Sequence, residues 1–84
     1  MISAQSDFKK AEQFFQKGKY ADAKEIFLEL YKKKPSDAKV AEYLGDIESH
    51  SKQWDNALEY YEKLKKQYPL QADYIYKYGG ALGM

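Results

Sequence analysis

Residues 20–27 read YADAKEIF and residues 54–61 read WDNALEYY. Each stretch opens on an aromatic, carries Ala in fourth place and an aromatic in eighth, and meets a proline eight residues further on. The two copies stand 34 positions apart, Tyr20 to Trp54, and the same interval separates Ala23 from Ala57, Phe27 from Tyr61, Leu30 from Leu64 and Pro35 from Pro69. It extends outward as well: Ala11, Gly45 and Gly79 follow one another at 34, as do Ala38 and Ala72, Ala41 and Ile75, Leu44 and Tyr78. A period kept from Ala11 to Gly79 marks a chain built from repeated units.

Each unit reads as two helices. Phe8, Ala11, Phe14 and Phe15 recur at helical spacing, so a first helix is expected over residues 7–16. Gly18 stops it, because glycine tolerates the left-handed conformation at a helix end. A second helix is expected from Tyr20 to Lys33, with Ala23, Ile26, Phe27, Leu30 and Tyr31 inward. Lys32, Lys33 and Lys34 complement its dipole, and Pro35 ends it. Ser36 or Asp37 then caps a third helix bearing Val40, Ala41, Leu44 and Ile47. Trp54 opens a fourth with Ala57, Leu58, Tyr61 and Leu64, closed by Pro69. A fifth is expected over about residues 71–82. No stretch alternates as a strand does.

Composition sets the outer bounds. The 84 residues suit one small domain, with 44% hydrophobic and 32% charged residues, a globular balance. The net charge of +1 points to neither nucleic acid nor an anionic membrane surface. The absence of cysteine excludes disulfides, a thiol nucleophile and Cys-ligated metal. No apolar run approaches the roughly 20 residues that cross a bilayer. The leading MISAQSD lacks the charged and apolar regions of a signal peptide, though its small residues up to Ala4 look like the tail of a cleavage site. The expected location is cytoplasmic, with export behind a trimmed signal as the second reading.

The 34-residue helix–turn–helix unit resembles the tetratricopeptide repeat. The resemblance rests on Ala11, Phe14, Ala23, Phe27 and Pro35 in the first unit and on Leu44, Gly45, Ala57, Tyr61 and Pro69 in the second. Ile75, Tyr78, Gly79 and Leu82 open a third. The chain departs from the pattern at Asp7, Lys10 and Leu30, and again at Ala41, Glu48 and Leu64. The resemblance implies an all-α, right-handed solenoid of two units plus a fifth helix, either a cap or the start of a truncated third repeat. Its expected divisions are a frayed N-terminus at 1–5, repeat one at 6–35, repeat two at 36–69 and the partial unit at 70–84. Ala11, Gly45 and Gly79 are expected where the two helices of a unit approach closely, facing Ala23 and Ala57.

The resemblance also implies a concave groove lined by the first helix of each unit. The positions that fall there include Phe8, Glu12 and Phe15, then Lys39, Glu42, Tyr43, Asp46, Ser49 and His50, then Asp73, Tyr76 and Lys77. Phe8 and Phe15 read equally as core aromatics, whereas Tyr43 and Tyr76 combine an apolar body with a polar tip. The expected partner is a protein or peptide segment bound in that groove, and the chain is expected to be part of a larger repeat protein. The family's carboxylate clamp, which grips acidic chaperone tails, is not matched: Phe8, Glu12 and Tyr43 replace its basic and amide groups, Asp73 opposes it, and only Lys77 fits. A ligand with basic or aromatic side chains is expected instead.

Chemistry is not expected. His50, between Ser49 and Ser51, is a helix-terminal histidine without the orienting acid and oxyanion site of a triad, and no metal or cofactor motif is present. The alternative function is a structural or self-associating scaffold piece. Ile75, Tyr78 and Leu82 form an apolar stripe that a following helix would cover, so a weak homodimer is expected.

Overall fold

In a computed structural model, which describes residues 4–83, the chain forms five helices: α1 (Ala4–Gln16), α2 (Tyr20–Lys33), α3 (Ala38–His50), α4 (Trp54–Gln67) and α5 (Ala72–Leu82). No strand occurs among the described residues. Successive helices pack on one another, α1 on α2 through to α4 on α5, and the stack is elongated at 40 × 24 × 18 Å. It is an all-helical solenoid. Helix α1 begins three residues before the expected Asp7. Asp7 lies in the first turn, where a carboxylate favours the helix dipole.

The turns follow the residues that compel them. Gly18 ends α1 at φ +78°, with the Gly18 amide donating to Phe15 and the Lys19 amide to Phe14 at 2.8 Å. That is the Schellman closure. One period later the same two bonds form again, from Lys52 to Ser49 and from Gln53 to Glu48, and Lys52 takes φ 60° to make them. A side chain in the left-handed region costs about 1–2 kcal/mol, a cost glycine avoids. Lys52→Gly is therefore expected to stabilise the fold by about 0.5–1 kcal/mol, once the greater chain entropy of glycine is subtracted. A urea midpoint that rises at unchanged slope is the check.

Of the two expected caps on α3, Asp37 is the one in place: its carboxylate accepts from the amides of Lys39 and Val40. Gln71 stands one period later at the N-cap of α5, and its side chain makes no such bond. Lys34 and Tyr68, each before a proline, are extended with φ −144° and −130°, as the proline ring demands.

Two apolar clusters fill the interior. Ala11, Ala23, Phe27, Leu30, Val40, Leu44 and Ile47 form the first. Ala41, Ala57, Tyr61, Leu64, Tyr74 and Ala81 form the second, and the half-buried Tyr31 and Tyr60 pack against both. Ala11 and Ala23 are fully buried, as close approach requires. At Gly45 the close neighbour is Tyr61: a methyl group on Gly45 would lie 2.5 Å from Cε1 of that ring. Gly79 differs from its expected role. It is exposed, and an added methyl would meet nothing within 4 Å, because no helix lies over α5 as α4 lies over α3.

Glu48, which departs from the repeat pattern, is a buried carboxylate, 3% exposed. It reaches Lys24 of α2 at 2.6 Å and accepts from the Asn56 amide of α4 at 3.1 Å, so one side chain ties the second unit to the first.

Candidate functional site

The first helices of the units share one face, and aromatic contacts hold it together. Phe8 and Phe15 of α1 set their edges against Tyr43 of α3, with centroids 5.8 and 5.0 Å apart. Tyr43 in turn stacks on buried Phe27 at 4.8 Å. Phe8 and Phe15 are thus half-buried, at once the margin of the core and the lining of the face. Above them the Tyr43 hydroxyl donates to Glu12 at 2.5 Å. Burial first, then that hydrogen bond, pushes the Tyr43 hydroxyl up to about 12.

Helix α5 reaches the same face through one side chain. The Lys77 ammonium donates to Glu42 at 2.9 Å and to both oxygens of Asp46 at 3.0 and 3.1 Å. Burial opposes its charge, but the bonds to Glu42 and Asp46 outweigh that and raise its pKa. Asp46 also accepts from the Tyr61 hydroxyl at 2.6 Å, and the same hydroxyl lies 3.2 Å from Ser49. Lys39 also lies 3.6 Å from Glu42, so the acid groups of the face are held by two tyrosines and two lysines from three different helices.

Two adjoining pockets open here. One, of about 340 Å³, is lined by Phe8, Glu12, Lys39, Glu42, Tyr43 and Asp46. Three of these six are carboxylates and one is a lysine. The other, of about 360 Å³, has an apolar floor of Phe8, Leu30 and Val40 and a rim of Lys33, Lys34, Asp37 and Lys39. Phe8 and Lys39 belong to both. A shallower recess of about 280 Å³ lies between Phe15, Asp46, Ser49 and His50. There the His50 ring stacks on Tyr20 at 4.5 Å, with 14° between the planes.

Of the groove positions read from the sequence, Phe8, Glu12, Tyr43 and Asp46 come together in one pocket, Phe15 and His50 in the recess, and Lys77 meets the acids from above. Asp73 and Tyr76 line none of these three pockets; both are exposed on α5. Leu30 and Val40 were read as core alone. Each is buried, yet each presents a wall to the apolar pocket, because they meet across the α2–α3 junction. Periodicity within one helix carries no signal for that. Two lysines late in α4 are engaged: Lys63 donates to the Tyr31 hydroxyl and the Pro35 carbonyl, and Lys65 lies 4.5 Å over the Tyr78 ring.

Among the described residues no cluster of His, Cys, Asp or Glu could hold a metal ion, and no helix is long and apolar enough to cross a membrane. Comparison with curated proteins finds no match. Comparison with protein-family models finds one over residues 8–72, from Phe8 to the first residue of α5, and its description is the tetratricopeptide repeat.

Proposed function

This chain belongs to the tetratricopeptide repeat family, whose members generally mediate protein–protein interaction, and we propose that it does so by holding a peptide segment across the face shared by α1 and α3. The observation that carries this reading is the position of Phe8, the common wall of an apolar pocket and an acidic one. A ligand with an apolar side chain beside a basic one fits both at once. The apolar group covers Leu30 and Val40, and the lysine or arginine meets Glu12 and Glu42. The family is typically non-catalytic, and we read this chain as performing no chemistry.

Magnitudes rank the two contacts. Burying one large apolar side chain is worth about 1.5–3 kcal/mol, whereas a part-exposed ion pair contributes about 0.2–1 kcal/mol. The apolar pocket then supplies most of the affinity. The charges set the register, since Lys33 and Lys34 repel a basic group placed on the wrong side of Phe8. Acidic segments are opposed by Glu12, Glu42 and Asp46. Lys77, already bonded to two of those acids, gives such segments little in return.

An amide-resolved NMR titration with basic, acidic and aromatic peptide pools tests this. Peptides carrying basic and apolar or aromatic groups are expected to move the amides of Phe8, Glu12, Tyr43 and Asp46. Glu12→Gln is expected to weaken binding by a factor of about 1.5 to 5. An acidic pool that binds best, or no shift on α1 and α3 at about 1 mM peptide, would overturn the reading.

A further inference from the structure

The apolar pocket beside Phe8 has a counterpart that the chain fills by itself. The pocket lies where α2 passes to α3, and one period later α4 passes to α5. Val40 and Lys34 of the first junction stand in the places of Tyr74 and Tyr68 of the second, and Leu30 in that of Leu64. At the second junction Tyr74 is 8% exposed and lies in one cluster with Leu64, with the Tyr68 ring 5.9 Å from its own. At the first, Val40 is buried too, but it is the shorter side chain and leaves about 360 Å³ open between itself, Leu30 and Phe8. Equivalent helix ends thus enclose a tyrosine ring at one junction and a vacant place for one at the other. Farther along α5 the stripe read from the sequence is divided: Ile75 and Leu82 are exposed, while Tyr78 is half-buried against the second cluster, beneath Lys65.

The charges around this pocket are unequally engaged. Lys39 lies 3.6 Å from Glu42, and the Asp37 carboxylate accepts from the amides of Lys39 and Val40. Lys33 and Lys34 remain. Both are exposed, and neither ammonium has an ion-pair partner among the described residues. Lys33 also borders a recess with Asp7, Glu25 and Glu29, which leaves Lys34 the freer of the two. Phe8 stands between these lysines and the carboxylates of Glu12 and Glu42.

We propose that the pocket takes an aromatic side chain of the bound segment, with an aspartate or glutamate of that segment on the Lys33 and Lys34 side, so that the ligand runs basic, aromatic, acidic across Phe8. The inference rests on the reading of a segment held across α1 and α3, and it narrows that reading. A ring suits the place because the second junction buries one there, and because Phe8 offers a ring to pack against, a contact worth more than its area alone. Charge fixes the rest. A segment basic at both ends meets Lys33 and Lys34, and one acidic at both ends meets Glu12 and Glu42. Only a segment of opposite charges suits both sides, and it suits them in one direction.

Acetylated and amidated peptides carrying lysine, a variable residue and glutamate, joined by glycine spacers of differing length, test it by NMR titration of the full chain. With phenylalanine, tyrosine or tryptophan in the middle, binding is expected to be tighter than with leucine by a factor of about 2 to 12, and the amides of Leu30, Lys34 and Val40 should move. Replacing the peptide's glutamate by glutamine is expected to weaken binding by a factor of about 1.5 to 5. Lys33→Gln combined with Lys34→Gln should erase that last difference and keep the preference for the ring. Val40→Tyr copies the second junction into the first and should abolish the preference for the ring, with the helical circular dichroism unchanged; if that variant does not fold, the lysine variant still decides. Leucine binding as well as the rings, glutamine binding as well as glutamate, or a glutamate preference that survives the loss of both lysines would overturn the inference and leave the groove reading standing. If no peptide moves α1 or α3, both fall.

Discussion

Replacing Phe27 with alanine is expected to cost about 3–5 kcal/mol, the range for a fully buried aromatic. Phe27 is completely buried, and its ring stacks on Tyr43 and receives the edge of Phe8. The neighbours cannot simply collapse into the vacancy, because the Tyr43 hydroxyl is held by Glu12 at one end of the ring. A small domain has only about 5–15 kcal/mol of stability in all, so a large share of it goes with one side chain. Equilibrium urea unfolding measures the loss. The effect should reach the surface as well, since Tyr43 and Phe8 wall the acidic pocket. At temperatures where the variant remains folded, the peptide that binds the parent chain should bind it more weakly. A loss below about 2 kcal/mol would mean that the site relaxes around the cavity.

Gly45→Ala sets two effects against each other. Alanine favours a helix interior by about 1 kcal/mol over glycine, yet the new methyl would lie 2.5 Å from the Tyr61 ring. That ring has little freedom to move. It is 3% exposed, and its hydroxyl is fixed by Asp46 and Ser49. Overpacking of this kind costs about 1–3 kcal/mol. The steric effect is at its upper end here, leaving a net loss of about 2 kcal/mol. The cause can be isolated with a second substitution. In a Tyr61→Leu background the clash is gone, so Gly45→Ala should become neutral or stabilising, a coupling that a double-mutant cycle reads directly. If the loss is the same in both backgrounds, contact with Tyr61 is not its source.

These two positions were legible in advance because they sit on the period. Phe27 and Gly45 each recur in kind 34 residues away, and the same count placed the helices and the proline stops. What the period does not carry is the environment between units. Glu48 breaks the pattern, and its reason lies 24 residues back in Lys24. Leu30 and Val40 become pocket walls only where α2 meets α3. Tyr74, Tyr76 and Tyr78 alternate along α5 as identical letters, yet one is buried, one is exposed and one lies under a lysine. Only the position of α4 distinguishes them. The groove reading fared accordingly: residues of α1 and α3, which meet through Phe8, Phe15 and Tyr43, came together, while Asp73 and Tyr76 at the end of the stack did not.

The two turns after α1 and α3 bear on how such a chain can change by descent. One is made with Gly18 and the other with Lys52, and both close on the same pair of main-chain hydrogen bonds. A duplicated unit can thus lose the residue best suited to its corner and keep the corner, because the surrounding backbone bonds impose the shape at a modest energetic penalty. Copies are free to drift apart in spelling while their geometry stays interchangeable. A later copy, or one exchanged from another protein, would still stack upon them.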